Sequence, residues 1–128
     1  MPDTPMPEAM AAPTPAAARV TLAPAGGTVV VRAGGAVIAE SAQAIRLDEA
    51  GYPPVYYIPR ADIGMAFLDR SDRRTTCPHK GEACYFHIMA KSGPIENAAW
   101  SYETPKPGLA AIAGLIAFYT DRSAVELL

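Results

Sequence analysis

Glycine and proline divide this sequence into short segments, and none of them is long and apolar enough to form a long hydrophobic helix. From Thr28 onward, turn residues recur every eight to twelve positions, and the longest apolar run, residues 109–119, has eleven residues. The segments between the turns are rich in Val, Ile and Tyr, which are typical of β-strands. This punctuation predicts a mainly β protein of seven to nine short strands: a compact antiparallel sheet, barrel- or sandwich-like, with at most one short helical turn.

Two pairs of neighbouring segments have the pattern of a β-hairpin. Residues 28–32 and 36–40 are rich in β-branched and small apolar residues and flank a Gly-Gly pair. Residues 83–90 and 94–102 contain aromatic residues and flank a short loop that ends in glycine. A short glycine-bearing loop between two such segments is typical of a hairpin.

The other segments are shorter or less regular. Residues 44–48 and 55–58 predict two further strands, and the apolar spacing of residues 62–69 favours a strand over a helix. Residues 115–119 are apolar on both faces, which predicts a central strand. We also expect one helical turn over residues 109–113, chain turns over 71–74 and 77–81, and either an edge strand or a free end over 124–128.

The chain of 128 residues has the length of one domain. Residues 1–26 are mainly Ala, Pro, Thr and Met, with too little large apolar surface to offset the entropy lost on ordering. They are therefore predicted to be a disordered tail, with a short helix over residues 15–19 as the alternative. A single mostly β domain is predicted over residues 27–128.

Charge and cysteine content indicate the class of partner and the compartment. The net charge is −2, from 11 Lys+Arg and 13 Asp+Glu, so we expect no nucleic-acid partner. Prolines interrupt the N-terminal region, which lacks the pattern of a secretory signal, and no run approaches the roughly 20 apolar residues of a membrane span. Two cysteines are too few for a disulfide framework. We expect a cytoplasmic protein without membrane contact, and its oligomeric state is left open.

The residues Cys77, His79, Cys84 and His87 are of the types that bind zinc. Their spacing lacks the paired Cys-x2-Cys of a zinc knuckle. Cys84 and His87 are also an odd number of residues apart on a predicted strand, which points their side chains to opposite faces. The sequence therefore predicts no metal site, and it indicates no cofactor.

Aromatic and cationic residues form the most informative set for function. Tyr57 and Arg60 lie around the end of one predicted strand, Lys80 lies in a tight turn, and Trp100 and Tyr102 share one face of a hairpin. Rings beside cations are typical of a pocket for a small anionic or planar ligand. We therefore predict a ligand-binding site in which Arg60 and Lys80 converge.

Two alternatives stay open. In the first, the domain is an enzyme that uses Cys77 as a nucleophile, activated by nearby His79 and Lys80, or that uses Lys80 as a reactive amine. In the second, the aromatic residues are core, the cations extend to solvent, and the domain is structural or binds a partner without a pocket.

Four motifs in order, between residues 53 and 121, give the sequence a family resemblance that extends over about residues 28–121. They are Pro-Pro-Val-Tyr-Tyr-Ile-Pro-Arg-x-Asp over 53–62, Thr-Cys-Pro-x-Lys-Gly over 76–81, Ala-Ala-Trp-x-Tyr-x-x-Pro over 98–105, and Ile-x-Gly-x-x-Ala-Phe-Tyr-x-Asp over 112–121. In these motifs the chain resembles the domain-of-unknown-function 427 family. The resemblance implies a compact, mostly β domain with no assigned activity, and its motif positions are Tyr57, Arg60, Cys77, Lys80, Gly81, Trp100 and Tyr102.

That family is sometimes labelled nucleotidyltransferase-like. Nucleotidyl transfer requires carboxylates that hold magnesium near a phosphate-binding turn. The sequence shows neither pattern, so we do not expect this activity.

Overall fold

The structure is a computed structural model that describes residues 20–128. Strands make up most of the described part, and its helical segments are single 3₁₀ turns. The strands are β1 (Val20–Pro24), β2 (Val29–Ala33), β3 (Ala36–Ser41), β4 (Ile45–Glu49), β5 (Val55–Tyr57), β6 (Leu68–Cys77), β7 (Gly81–Ala90), β8 (Gly93–Tyr102), β9 (Ile116–Phe118) and β10 (Ala124–Leu127).

The strands form three antiparallel sheets, with the orders β1-β4-β5, β10-β2-β3 and β6-β7-β8-β9. The sheets do not close into a barrel, and the arrangement is sandwich-like. Both predicted hairpins are present, as β2–β3 and β7–β8. The predicted fold class is therefore confirmed.

The sheet β6-β7-β8-β9 has a hydrophobic core on each face. Alternation along β7 explains this, because Ala83 and Tyr85 belong to one core whereas Cys84, Phe86 and Ile88 belong to the other. All five side chains are buried. A strand that is buried on both faces carries an almost continuous apolar run, as β7 does.

The strand predicted over residues 62–69 is wrong for most of its length. The chain there forms two 3₁₀ turns, Arg60–Asp62 and Met65–Phe67, before β6 begins. The amide of Gly64 donates to the carbonyl of Ile38 between these turns, at 2.8 Å, so the backbone meets β3 at one point only. With the turn Ala110–Ile112 inside the predicted segment 109–113, the described residues contain three helical turns rather than one. None of the helical segments in this part of the chain is long and apolar enough to cross a membrane.

The turn predicted over residues 71–74 is also wrong, since these residues lie inside β6. The pairing of β6 with β7 shifts register between Arg70 and Arg74, which is a bulge rather than a reversal. Ser71 stabilises it, because its hydroxyl accepts from the amide of Arg73 at 3.1 Å and donates to Asn97 Oδ1 at 2.6 Å. A cluster of polar residues thus marks a bulge in an edge strand here.

Strand β9 is last in its sheet rather than central. Its free edge is covered at one point, because Ile116 forms an isolated bridge with Ile58 through two backbone hydrogen bonds of 2.8 and 2.9 Å. All three residues of β9 are buried because Ile116 and Phe118 pack in one core and Ala117 packs in the other. The C-terminal residues form the edge strand β10, one of the two predicted outcomes.

Residues 20–24, which lie in the predicted tail of residues 1–26, form strand β1. Strand β1 pairs with β4, and Leu22 lies opposite Leu47 and packs against the core. The ladder of five residue pairs with β4 and the packing of Val20 and Leu22 hold this stretch, and composition alone did not reveal either. Residues 1–19, including the alternative helix over 15–19, lie outside the described residues.

Candidate functional site

The predicted site residues divide between the two faces of the sheet β6-β7-β8-β9. Tyr57, Lys80, Trp100 and Tyr102 lie buried on the face that also holds Cys77. Arg60 lies on the opposite face, where its guanidinium carbon is 5.5 Å from the ring centroid of Phe86. The expected convergence of Arg60 and Lys80 is therefore wrong, because the sheet separates them.

A buried ion pair joins Lys80 to Glu49. The Lys80 ammonium donates to Glu49 Oε1 at 2.8 Å, and the two side chains are 0% and 5% exposed. The same ammonium lies 3.7 Å from Cys77 Sγ. Adjacent acids such as Asp48 and Glu49 are typical of a solvated turn, so no sequence pattern indicated Glu49 as the partner of Lys80. We define Glu49, Cys77 and Lys80, with the aromatic residues Tyr57, Trp100 and Tyr102, as the buried cluster.

The aromatic residues of the buried cluster differ in how their polar atoms are satisfied. Trp100 Nε1 donates to the hydroxyl of Tyr57 at 3.1 Å, and the two rings meet edge to face at 6.2 Å between centroids. The hydroxyl of Tyr102 is buried and finds no hydrogen-bond partner within residues 20–128. Burial raises the pKa of Tyr57 and of Tyr102 above the ordinary phenol value.

Residues 103–114 close this side of the molecule, and we define them as the cover segment. Leu109 and Ile112 of this segment are buried in the same core as the aromatic residues. The amide of Lys106 donates to the carbonyl of Lys80 at 2.9 Å. Gly81 has φ +117°, and a Cβ there would lie 3.3 Å from the carbonyl oxygen of Thr104, so the close approach requires glycine. Cys77 and Lys80 are both buried, so a substrate would reach them only after part of the chain moves, and the cover segment lies against the Lys80 backbone.

On the opposite face, two arginines share one carboxylate. Both terminal nitrogens of Arg70 donate hydrogen bonds to the Glu103 carboxylate, at 2.9 and 3.2 Å. Arg60 Nη2 donates to the same carboxylate at 2.8 Å. The three side chains are 36–43% exposed, so solvent reaches them. Because both guanidinium groups donate hydrogen bonds to Glu103, they hold its pKa below the ordinary value, with Arg60 contributing most.

Both guanidinium groups also lie over the ring of Phe86, at 5.5 Å from its centroid. Arg60 makes a further contact with the hydroxyl of Ser101 at 3.4 Å. We define Arg60, Arg70, Phe86 and Glu103 as the arginine cluster. Of these, the sequence analysis identified Arg60 alone. Arg70 directly precedes the turn predicted over residues 71–74 and was not among the predicted site residues.

The cysteines lie on different faces of the sheet, Cys77 in the buried cluster and Cys84 in the opposite core. His87 is half-buried, and its Nδ1 accepts a hydrogen bond from the amide of Asn97 at 3.0 Å. Among the described residues, no group of three or more His, Cys, Asp or Glu side chains is placed to hold a metal ion.

These features define a small sandwich-like β domain with one buried and one partly exposed cluster of aromatic and charged residues. The chain belongs to the family described as Domain of unknown function (DUF427), which it matches over residues 21–127. This match confirms the family resemblance found in the sequence motifs. A comparison with curated proteins finds no match.

Proposed function

We propose that this domain binds a small anionic ligand with a planar part, and that it does so at the arginine cluster. One observation carries the proposal: two partly exposed guanidinium groups are held together over one aromatic ring, with a carboxylate between them. Arginine presents a planar fork that fits a carboxylate or a phosphate, and its flat face stacks on planar groups.

The charge balance of the arginine cluster supports an anionic ligand. Arg60 and Arg70 carry two positive charges against the single negative charge of Glu103. The position of the Glu103 carboxylate marks where a ligand anion would be held. The ligand class is the one predicted from the sequence, but the binding residues change, because Lys80 is neutralised by Glu49 in the core.

In this proposal the buried aromatic residues support the site rather than line it. The hydrogen bond between Tyr57 and Trp100 holds the core face of β8, and Glu103 follows directly after the last residue of that strand. The alternative that the domain is an enzyme has one supporting observation, the 3.7 Å contact between the amine of Lys80 and the thiol of Cys77. We place it second, because both groups are buried. A purely structural domain is the remaining alternative.

A thermal-shift experiment at low salt tests the proposed function. The probes are benzoate and phenyl phosphate, with benzyl alcohol as the neutral control. Both anions should raise the melting temperature, since a ligand at a hundred times its Kd stabilises by about 2.7 kcal/mol. Arg70→Gln should remove the shift. Arg32→Gln is the matched control, because Arg32 forms an exposed pair with Glu126 at 2.6 Å, outside the arginine cluster. The proposal would be refuted if the anions raised the melting temperature equally in Arg70→Gln and Arg32→Gln, or if they did not raise it in the wild type. The structural alternative would then remain.

We also propose a cytoplasmic location and no nucleic-acid partner. Both cysteines of the sequence are free thiols, which supports a reducing compartment. The net charge of −2 supports the proposal that the domain has no nucleic-acid partner. Filter binding with random DNA and RNA at low salt should show no retention, and cell fractionation should recover the protein with cytoplasmic markers.

A further inference from the structure

One arginine holds both ends of the cover segment. At its start, Arg60 Nη2 donates to the carboxylate of Glu103 at 2.8 Å. At its end, Arg60 Nε donates to the carbonyl of Gly114 at 2.7 Å. A single guanidinium therefore bridges two points of the chain that are eleven residues apart. Arg70 contacts Glu103 as well, and its contacts lie at that end only.

Between these two points, few backbone contacts hold the cover segment. Its regular structure is the 3₁₀ turn Ala110–Ile112. Two backbone hydrogen bonds tie it to the strands and turns beneath: the amide of Lys106 to the carbonyl of Lys80, and the amide of Gly114 to the carbonyl of Tyr102. Segments with few backbone bonds of this kind are the ones that open locally without global unfolding.

The core against which the cover segment packs contains polar groups, so opening should cost less free energy there than in a purely apolar core. The buried hydroxyl of Tyr102 has no partner within the described part of the chain. An unsatisfied buried hydroxyl costs free energy, and water that enters on opening would hydrate it. Solvation of the Lys80–Glu49 pair would likewise offset part of the cost of exposing Leu109 and Ile112.

We propose that Arg60 is a latch for the cover segment, and that an anion bound in place of Glu103 releases this latch and exposes Cys77 and Lys80. The release step rests on the proposed function. Arg60 Nη2 has to leave Glu103 in order to hold a ligand anion in the same position, and the side-chain link between the two ends of the segment is then lost. The backbone bond from the amide of Gly114 to the carbonyl of Tyr102 then remains as a tie between these ends. The arginine cluster thus regulates access to the buried cluster on the other face of the sheet.

Hydrogen exchange on the full chain tests the latch. In Arg60→Gln, the amides of Lys106 and Gly114 should exchange about tenfold faster, the change expected when opening becomes easier by about 1.4 kcal/mol. Arg60→Lys keeps the charge but lacks the rigid planar fork that aims two nitrogens at the two ends, so exchange should be faster here as well. Arg70→Gln is the matched control, because it loses contacts to Glu103 and none to Gly114. Equal exchange in the Arg60 and Arg70 variants, or no acceleration in either, would overturn the latch.

Thiol labelling tests the release by an anion. The probe is benzoate, and the readout is the rate of iodoacetamide labelling of each cysteine, separated by peptide mapping. Cys77 should react several-fold faster with benzoate. Cys84, in the opposite core, should be unchanged and serves as the internal control for global unfolding.

Failure of the release step and failure of the proposed function give different results. If benzoate raises the melting temperature without changing the labelling rate of Cys77, the release step is wrong and the proposed function stands. If benzoate causes no thermal shift, the proposed function is wrong and the release step falls with it. Faster labelling of both cysteines together would indicate global unfolding and would also overturn the release step.

Discussion

The buried cluster and the arginine cluster contain the same kinds of residues and differ in their access to water. The pair of Lys80 and Glu49 is 0% and 5% exposed, whereas Arg60 and Glu103 are 36% and 39% exposed. Two buried charges depend on each other, because water cannot replace a lost partner. Two solvated charges are weakly coupled and can exchange partners. We therefore expect the buried cluster to contribute to stability, and the arginine cluster is where we propose that a ligand binds.

The largest effect should come from breaking the buried pair. Lys80→Met leaves the carboxylate of Glu49 buried without its partner, which should lower the free energy of unfolding by about 3–5 kcal/mol. Urea denaturation at neutral pH measures this change. The double variant Lys80→Met with Glu49→Leu is the control, and it should recover much of the loss, since no unpaired charge remains. A loss in Lys80→Met below that of an exposed pair would contradict the comparison.

Removing the hydroxyl of Tyr57 or of Tyr102 should change stability by a smaller amount, and the two changes should differ. Tyr57→Phe removes the acceptor of the Trp100 indole and should cost about 1–3 kcal/mol, because a buried N–H is left unsatisfied. Tyr102→Phe removes a buried hydroxyl that has no partner among the described residues, and it should be neutral or stabilising. The same denaturation assay compares them. Equal losses in the two variants would show that packing, rather than hydrogen bonding, sets the cost.

Acid should weaken the arginine cluster by a still smaller amount. The folded protein holds the pKa of Glu103 below its ordinary value of 4.5, so the stabilisation from its ion pairs is complete above that value and is lost as the pH falls through the folded pKa. Since Glu103 is 39% exposed, the contribution should stay below about 1 kcal/mol. Wild type and Glu103→Gln should therefore differ in stability at pH 7 and converge in strong acid. A constant difference across this range would mean that the Glu103 charge does not contribute.

The smallest effect should come from removing residues 1–19. We expect this deletion to leave the melting temperature unchanged, since the pairing of β1 with β4 begins at Val20. Deletion through residue 26 removes Leu22 from the core beside the buried cluster, and it should lower the melting temperature. The arginine cluster should still bind benzoate in the shorter deletion. A large loss of stability on removing residues 1–19 would show that they dock on the domain.

Local patterns in the sequence predicted much of the fold. The two hairpins, the turn over residues 77–81 and the helical turn after residue 109 each depend on neighbouring residues, and the structure has all of them. The errors at residues 62–69 and 71–74 occurred where contacts with Ile38 and Asn97 decide the backbone. Such contacts cannot be inferred from spacing within one segment.

The pairing of charges could not be predicted for the same reason. Glu49 lies 31 residues before Lys80, and Glu103 lies 43 residues after Arg60. The sequence identified both cations and the residue types around them. Which acid each cation meets, and on which face of the sheet, follows from the packing of distant strands. The proposed ligand class therefore comes from residue types in the sequence, whereas the grouping of Arg60 with Arg70 comes from the structure.

The position of ligand binding tests the central claim most directly. A titration of isotope-labelled protein with benzoate, followed by NMR, reports each backbone amide, and the single tryptophan gives one indole signal from the buried cluster. We predict that the amide signals around Arg60, Arg70 and Glu103 are the first to shift as benzoate is added, and that they shift the most. Shifts confined to Tyr57, Lys80 and the Trp100 indole, with the arginine amides unchanged, would place binding in the buried cluster and contradict the account.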